Sequence, residues 1–208
     1  MRVRTEAKRE AILESAAQVF MEMGYERASM AEIADRTVCS KPTLYGYFPS
    51  KTELFMGAII HKMGGQVADV YYDLPSHAPE EPGPVLTRLG EHHITTIASP
   101  EAFAFKRLIQ TTLTNRDDAE RFWELGNKRL VEIIETYLIA ATEAGRLKVQ
   151  NARVAAQHLL ALYEAEVNWS GPVGSSPNLP PEMIRQVAGR AVQVFLAAYG
   201  VECEVGRR

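Results

Sequence analysis

Ser40-Lys-Pro-Thr-Leu-Tyr-Gly-Tyr-Phe-Pro-Ser-Lys51 is the stretch on which the reading of this chain turns. Ser40 is a good helix N-cap, and Pro42 falls in the first turn after it, where a missing amide hydrogen costs nothing. Leu44 and Phe48 lie four apart and point one face of the helix inward. Tyr47, beside Phe48, reads either as an exposed hydroxyl or as part of the core. Pro49 stops the helix, and Ser50-Lys-Thr-Glu53 is a capping box that launches the next one through Leu54, Phe55, Ile59 and Ile60.

Upstream, Ser29-Met-Ala-Glu32 is another capping box, opening a short helix that ends near Arg36. Thr37-Val38-Cys39 is then the turn into Ser40. Before it, a helix from about Thr5 to Met23 places Ile12, Ala16, Val19, Phe20 and Met23 on one face. Gly24 is expected to close that helix in a Schellman ending, with Tyr25 packed back on Phe20. Three short helices with a sharp turn between the second and third make the smallest unit that presents a helix to a DNA major groove about 12 Å wide. Residues 5–48 supply that unit.

These residues resemble the TetR family of bacterial regulators. The resemblance runs through Ile12-Leu13-x-x-Ala16-Ala17-x-x-Phe20, Gly24-Tyr25, Ser29-Met30-x-x-Ile33-Ala34, the run Ser40 to Phe48, and Ser50-Lys51-x-x-Leu54. It implies that Ser40, Lys41, Pro42 and Thr43 face the groove, while Tyr45, Tyr47 and Lys51 touch phosphates. Arg4, with Arg2, reads as an arm along the backbone or minor groove, or else as a solvated terminus. Two positions depart from the family pattern. Where the family usually has Ala-Gly-Val, the chain has Thr37-Val38-Cys39, and a β-branched residue dislikes positive φ; either the turn avoids a left-handed residue or it is strained. Gly46 stands where the family often places a large polar residue, which removes one contact.

Beyond residue 51 apolar residues recur at spacings of three and four without strand-like alternation, so the whole chain reads as all-α, with about nine helices. The expected organisation is a helix-turn-helix DNA-binding domain at 1–50 and a helical effector-binding and dimerisation domain at 51–208. Four prolines within Asp73–Pro84 mark a connector. Helices are expected at about 85–98, 100–115, 116–145, 151–169 and 181–199, with a loop from Gly171 to Pro180. From Phe105 to Leu147 the chain is most similar to the AefR-type C-terminal domains of the same family. That likeness implies a homodimer sealed by the last two helices, through Leu159, Leu160, Tyr163 and Val167 on one and Val187, Val194, Phe195 and Tyr199 on the other; the same faces could instead bury within one subunit. For an effector, Phe103, Phe105, Trp123 and Trp169 offer apolar walls beside polar Arg107, Asn168 and His92, although each also fits plain packing. Gly64-Gly65, inside the helix after residue 51, reads as a hinge or as a site of close helix packing.

Composition sets the outer bounds. An apolar fraction of 46% over 208 residues is that of a globular chain. The formal charge is −3, yet residues 1–51 hold eight Lys or Arg against seven Asp or Glu, a small basic footprint placed at element edges. Cys39 and Cys203 suggest neither a disulfide framework nor a metal pair, and Cys39 reads as an inert thiol or a redox-sensitive one. The charged opening and the lack of a long apolar run point to a cytoplasmic protein with no membrane partner. The enzyme classes are excluded by missing motifs: no phosphate-binding glycine loop, no nucleophile elbow, no HExxH. His92 and His93 diverge by about 100° on a helix and cannot share a metal, so no catalytic residue, metal or cofactor is expected. The reading that results is a repressor that binds an inverted-repeat operator in double-stranded DNA as a homodimer and leaves it when a small apolar or amphipathic molecule enters the core. The alternative is a ligand-independent or architectural DNA binder whose core meets a partner.

Overall fold

A computed structural model describes residues 5–167 and 179–201, and within them every side chain but those of 65–69 and 127. Among the described residues ten α-helices run in order: α1 (Glu6–Arg27), α2 (Met30–Arg36), α3 (Lys41–Tyr47), α4 (Lys51–Asp73), α5 (Pro82–Ile97), α6 (Pro100–Thr112), α7 (Arg116–Leu125), α8 (Asn127–Glu143), α9 (Ala152–Ala165) and α10 (Pro181–Tyr199). No strand occurs among the described residues; one isolated antiparallel bridge joins Leu147 and Gly200. No described helix is long and apolar enough to cross a membrane. The all-α fold with an N-terminal helix-turn-helix is therefore as the periodicity required.

The tenth helix arises at Gly126. The expected helix over 116–145 breaks there, with Gly126 at φ −103°, ψ −75°, and α7 and α8 lie on either side. The connector is also shorter than four prolines suggested. A 3-10 turn, Leu74–His77, follows α4 directly, and α5 begins at Pro82 because prolines at first-turn positions forfeit no helical hydrogen bond.

Packing divides the chain into two compact units: Met1–Gln66 with Ala104–Gly126, and Val67–Phe103 with Asn127–Arg208. The first core does not stop at residue 50. Leu54, Phe55, Met56, Ala58 and Ile59 of α4 and Phe105 of α6 join Ile12, Leu13, Phe20, Ile33 and Leu44 in one buried cluster. Phe20, Tyr25 and Phe55 meet at centroid separations of 6.0, 5.1 and 5.3 Å. Gly24 has the expected positive φ of 75°, but its ψ of 163° is extended, so α1 is kinked there and runs on to Arg27 instead of ending in a Schellman motif.

The second core is built by α5, α8, α9 and α10 around Leu86, Leu89, Ile134, Leu138, Leu159, Tyr163, Val187 and Phe195. Gly90 lets α5 approach α9 closely: a Cβ on it would lie 2.5 Å from Cε1 of Tyr163. The Tyr163 ring is fixed there because its hydroxyl donates to the Leu86 carbonyl at 2.6 Å. This packing revises the expected dimer seam. Leu159, Tyr163, Val167, Val187 and Phe195 are buried within their own chain, Leu160 and Tyr199 are half-buried against the same core, and Val194 alone of the eight is exposed, at 56%. Helical periodicity identifies an apolar face but not which chain's core it fills.

Candidate nucleic-acid interface

Local chemistry sets each helix end in the first unit. The Thr5 side chain accepts the Lys8 N–H, Ser29 accepts that of Glu32 at 3.1 Å, Ser40 that of Thr43 at 3.2 Å, and Ser50 that of Glu53 at 3.1 Å. Both capping boxes are half-formed. The Glu32 carboxylate turns to Arg36 at 3.0 Å and that of Glu53 to Arg121 at 2.7 Å.

The turn between α2 and α3 is where the missing glycine matters. The Cys39 N–H donates to the Ala34 carbonyl at 3.0 Å and the Val38 N–H to that of Asp35 at 3.2 Å, the two bonds of a Schellman motif. Val38 fills the left-handed position at φ 48°, and the described residues contain no other non-glycine with positive φ. The strained alternative left open by the sequence is the one adopted. Its surroundings hold it: the Thr37 hydroxyl donates to the Ile33 carbonyl at 2.8 Å, and the Lys8 ammonium to the Thr37 carbonyl at 3.0 Å.

Beyond this turn Ser40, Lys41, Pro42 and Tyr45 are exposed, Thr43 is half-buried with its hydroxyl 2.7 Å from that of Ser40, and Leu44 and Phe48 anchor α3 in the core. Two residues expected at phosphates have partners inside the chain instead. The Tyr47 hydroxyl accepts the Thr5 N–H at 3.0 Å, tying α3 to the start of α1. The Lys51 ammonium donates to the carbonyls of Tyr25 at 2.9 Å and Ala28 at 3.2 Å and lies 4.2 Å from the centre of the Tyr25 ring. Lys51 therefore closes the end of α1. Arg4 lies outside the described residues.

The described residues among those expected at an effector divide between the two units. Phe105 is buried in the first unit's core, Arg107 is exposed, Trp123 is 41% exposed, Phe103 is half-buried in the second unit, and Asn168 and Trp169 lie outside the described residues. A polar group that the sequence reading missed lies in the second core, at the neighbour of His92. His93 is 4% exposed; its Nδ1 meets the Tyr71 hydroxyl at 2.7 Å, and its Nε2 is buried without a hydrogen bond, the Glu164 carboxylate standing 3.4 Å away. The Tyr137 hydroxyl is likewise buried and unpartnered. Burial pushes the Tyr71, Tyr137 and Tyr163 phenols upward, Tyr137 to about 12, so all three stay protonated. The available signal was the α5 periodicity, Leu86, Leu89, His93, which puts His93 and not His92 on the inner face.

Comparison with known proteins accords with this geometry. Residues 12–57 match the profile of the tetR family of bacterial regulatory proteins, and residues 84–201 that of the AefR-like transcriptional repressor C-terminal domain. The chain is 39% identical over 69 residues to the HTH-type transcriptional activator FasR of Mycolicibacterium smegmatis, a match that spans 33% of this chain and 32% of that protein. Among solved structures, a protein from Mesorhizobium loti assigned to the TetR family of transcriptional regulators superposes with a TM-score of 0.78 at 26% identity, covering 96% of this chain and 100% of that one. The flavonoid-responsive regulator FrrA follows with a TM-score of 0.73 at 26% identity and the same coverage of each chain.

Proposed function

Because the chain belongs to the TetR family of bacterial transcriptional regulators, we infer that it is a repressor whose α3 enters the major groove of an inverted-repeat operator and whose second core receives the molecule that releases it. On this reading Ser40, Lys41, Pro42 and Thr43 face base edges and Tyr45 meets a phosphate, while Tyr47 and Lys51 hold the head in shape. A twofold dimer sets the two heads about 34 Å apart, one helical turn of B-DNA. The surface open to a second copy is the outer stripe of α9 and α10, where Val154, Met183 and Val194 are 39%, 45% and 56% exposed.

Repression, as opposed to activation, is supported by the C-terminal profile, which describes a repressor domain. The likeness to the activator FasR spans a third of the chain, and a reading head does not set the sign of regulation. The observation that carries the effector is a pair of buried polar atoms without a hydrogen bond in the second core, the Tyr137 hydroxyl and His93 Nε2, the latter with only the Glu164 carboxylate 3.4 Å away. An orphaned buried group costs roughly 1–3 kcal/mol, and an amphipathic molecule with a hydroxyl or carbonyl would repair that of Tyr137. FrrA is flavonoid-responsive by name, which makes flavonoids the first molecules to try. Mobility-shift titration with a selected operator should show release by such a compound and a loss of response in Tyr137→Phe. Release that is unaltered in both Tyr137→Phe and His93→Leu would remove these anchors, and an operator complex indifferent to every amphipath tested would favour the ligand-independent alternative.

A further inference from the structure

Val38 carries two costs in the free protein. It is a β-branched residue at φ 48°, in the left-handed position of a Schellman motif where glycine or asparagine is usual. It is also 89% exposed, the highest value among the exposed large apolar side chains of the described residues, the next being Val194 at 56%. Neither cost is offset by packing, since the side chain contributes to no core. The same motif at the end of α8 is filled by Gly145 at φ 72°, so this chain does use glycine where nothing else is asked of the position. A strained residue held in place by its surroundings, here by the bonds of Thr37 and Lys8, points from the outlier to a function.

Position suggests what that function is. Val38 stands two residues before Ser40, at the head of the exposed run Ser40, Lys41 and Pro42. We propose that the Val38 isopropyl group is a specificity-determining contact that packs against a thymine C5-methyl at the edge of each operator half-site. In the major groove that methyl is the one apolar feature of a base edge, and it distinguishes T·A from the other pairs. The contact would bury the apolar surface that the free protein leaves in water, at a place where the turn fixes the side chain before DNA arrives. This inference rests on the reading above that α3 enters the groove.

The test uses the full chain and a duplex that it selects from a random library. Val38→Ala removes two methyl groups and leaves the hydrogen bonds of the turn intact; replacing thymine by uracil at each selected position removes the base methyl. The expected result is a roughly tenfold loss of affinity for Val38→Ala, a similar loss for uracil at one position per half-site, and no further loss when the two are combined. Thermal unfolding of Val38→Ala should be unchanged or slightly raised, which separates a contact from misfolding. Additive losses, or a Val38→Ala loss with no thymine-sensitive position, would overturn the base contact, as would unchanged binding by Val38→Ala. If Lys41→Ala weakens binding while Val38→Ala does not, this inference alone fails. If no duplex is selected, or if binding survives Lys41→Ala with Thr43→Ala, the groove reading has failed and takes the inference with it.

Discussion

A lysine in a DNA-binding head is easily taken for a phosphate ligand, but the ammonium of Lys51 already donates to two carbonyls and rests on the Tyr25 ring. Lys51→Met should therefore lower stability by about 1–2 kcal/mol, since a charged donor leaves two carbonyls unpaired, whereas Lys41→Met on the exposed end of α3 should leave stability unchanged. Urea midpoints of the two variants measure the contrast, and equal midpoints would return Lys51 to the phosphate contacts. Val38 gives a prediction of opposite sign. The left-handed conformation costs a non-glycine residue about 1–2 kcal/mol, and glycine loses part of that gain to its unfolded-state entropy, so Val38→Gly should raise stability by about 0.5–1 kcal/mol. A fall in melting temperature would show that the turn is not strained. What was legible at this scale is what is local. The caps at Thr5, Ser29, Ser40 and Ser50 act over three residues and could be read directly, and Val38 was suspect because the glycine was missing. The partners of Tyr47 and Lys51 lie 42 and 26 residues away and could not be.

Helices meet through their smallest residues, and the contact of α5 with α9 depends on one. With a Cβ at position 90 only 2.5 Å from a Tyr163 ring that its own hydrogen bond restrains, Gly90→Ala should destabilise the second unit by about 1–3 kcal/mol. Gly64→Ala on α4, where a Cβ would meet nothing within 4 Å, should stabilise by up to about 1 kcal/mol through helix propensity. That open space also argues against close packing as the reason for Gly64. A second element-level device sits in the connector, where His77 Nδ1 lies 2.6 Å from Glu80 and Nε2 3.0 Å from Asp73. The Glu80 carboxylate, then that of Asp73, hold the imidazole above its ordinary 6.5. The Ser76 hydroxyl and His77 lower Asp73, and His77 lowers Glu80. The imidazolium's share of stability is complete below 6.5 and is lost as pH rises through the raised value. The carboxylates' share is present above about 4.5 and is lost as pH falls through their lowered values. The melting-temperature difference between the natural chain and His77→Gln should therefore be largest between about pH 5 and 6 and shrink by pH 9; a difference independent of pH would dismiss the cluster. None of this device was legible in a segment read only as proline-rich. Helix existence was legible throughout, but the break at Gly126 was not, because an isolated glycine in a helical run costs only about 1 kcal/mol and is commonly tolerated.

At the scale of the molecule two buried clusters, and not one boundary at residue 50, organise the chain, because α4 contributes Leu54 to Ile59 to the first and Tyr71 to the second, and α6 adds Phe105 to the first. With most of the expected seam residues buried inside the second core, the dimer inferred above would rest on what α9 and α10 leave outside. On α9 that stripe is Val154, His158, Ala161 and Ala165; on α10 it is Met183, Gln186, Arg190, Val194 and Ala197, spaced by three and four and dominated by small or apolar groups. Arg190 does not break the pattern, because its guanidinium is held by Glu166 at 2.9 and 2.6 Å. A twofold interface counts every substitution twice, so Val194→Glu should place two uncompensated carboxylates in a desolvated patch. The expected outcome is a monomer in sedimentation at micromolar concentration, with unchanged helical content because Val194 is 56% exposed in the single chain. Operator affinity should fall by about two orders of magnitude, the loss incurred when two half-site contacts cease to be linked. Phe195→Glu is the internal control: at 0% exposure it should unfold the second unit outright. If Val194→Glu still sediments as a dimer and binds its operator with full affinity, the two heads are joined through some other face, and the spacing of the half-sites has to be derived anew.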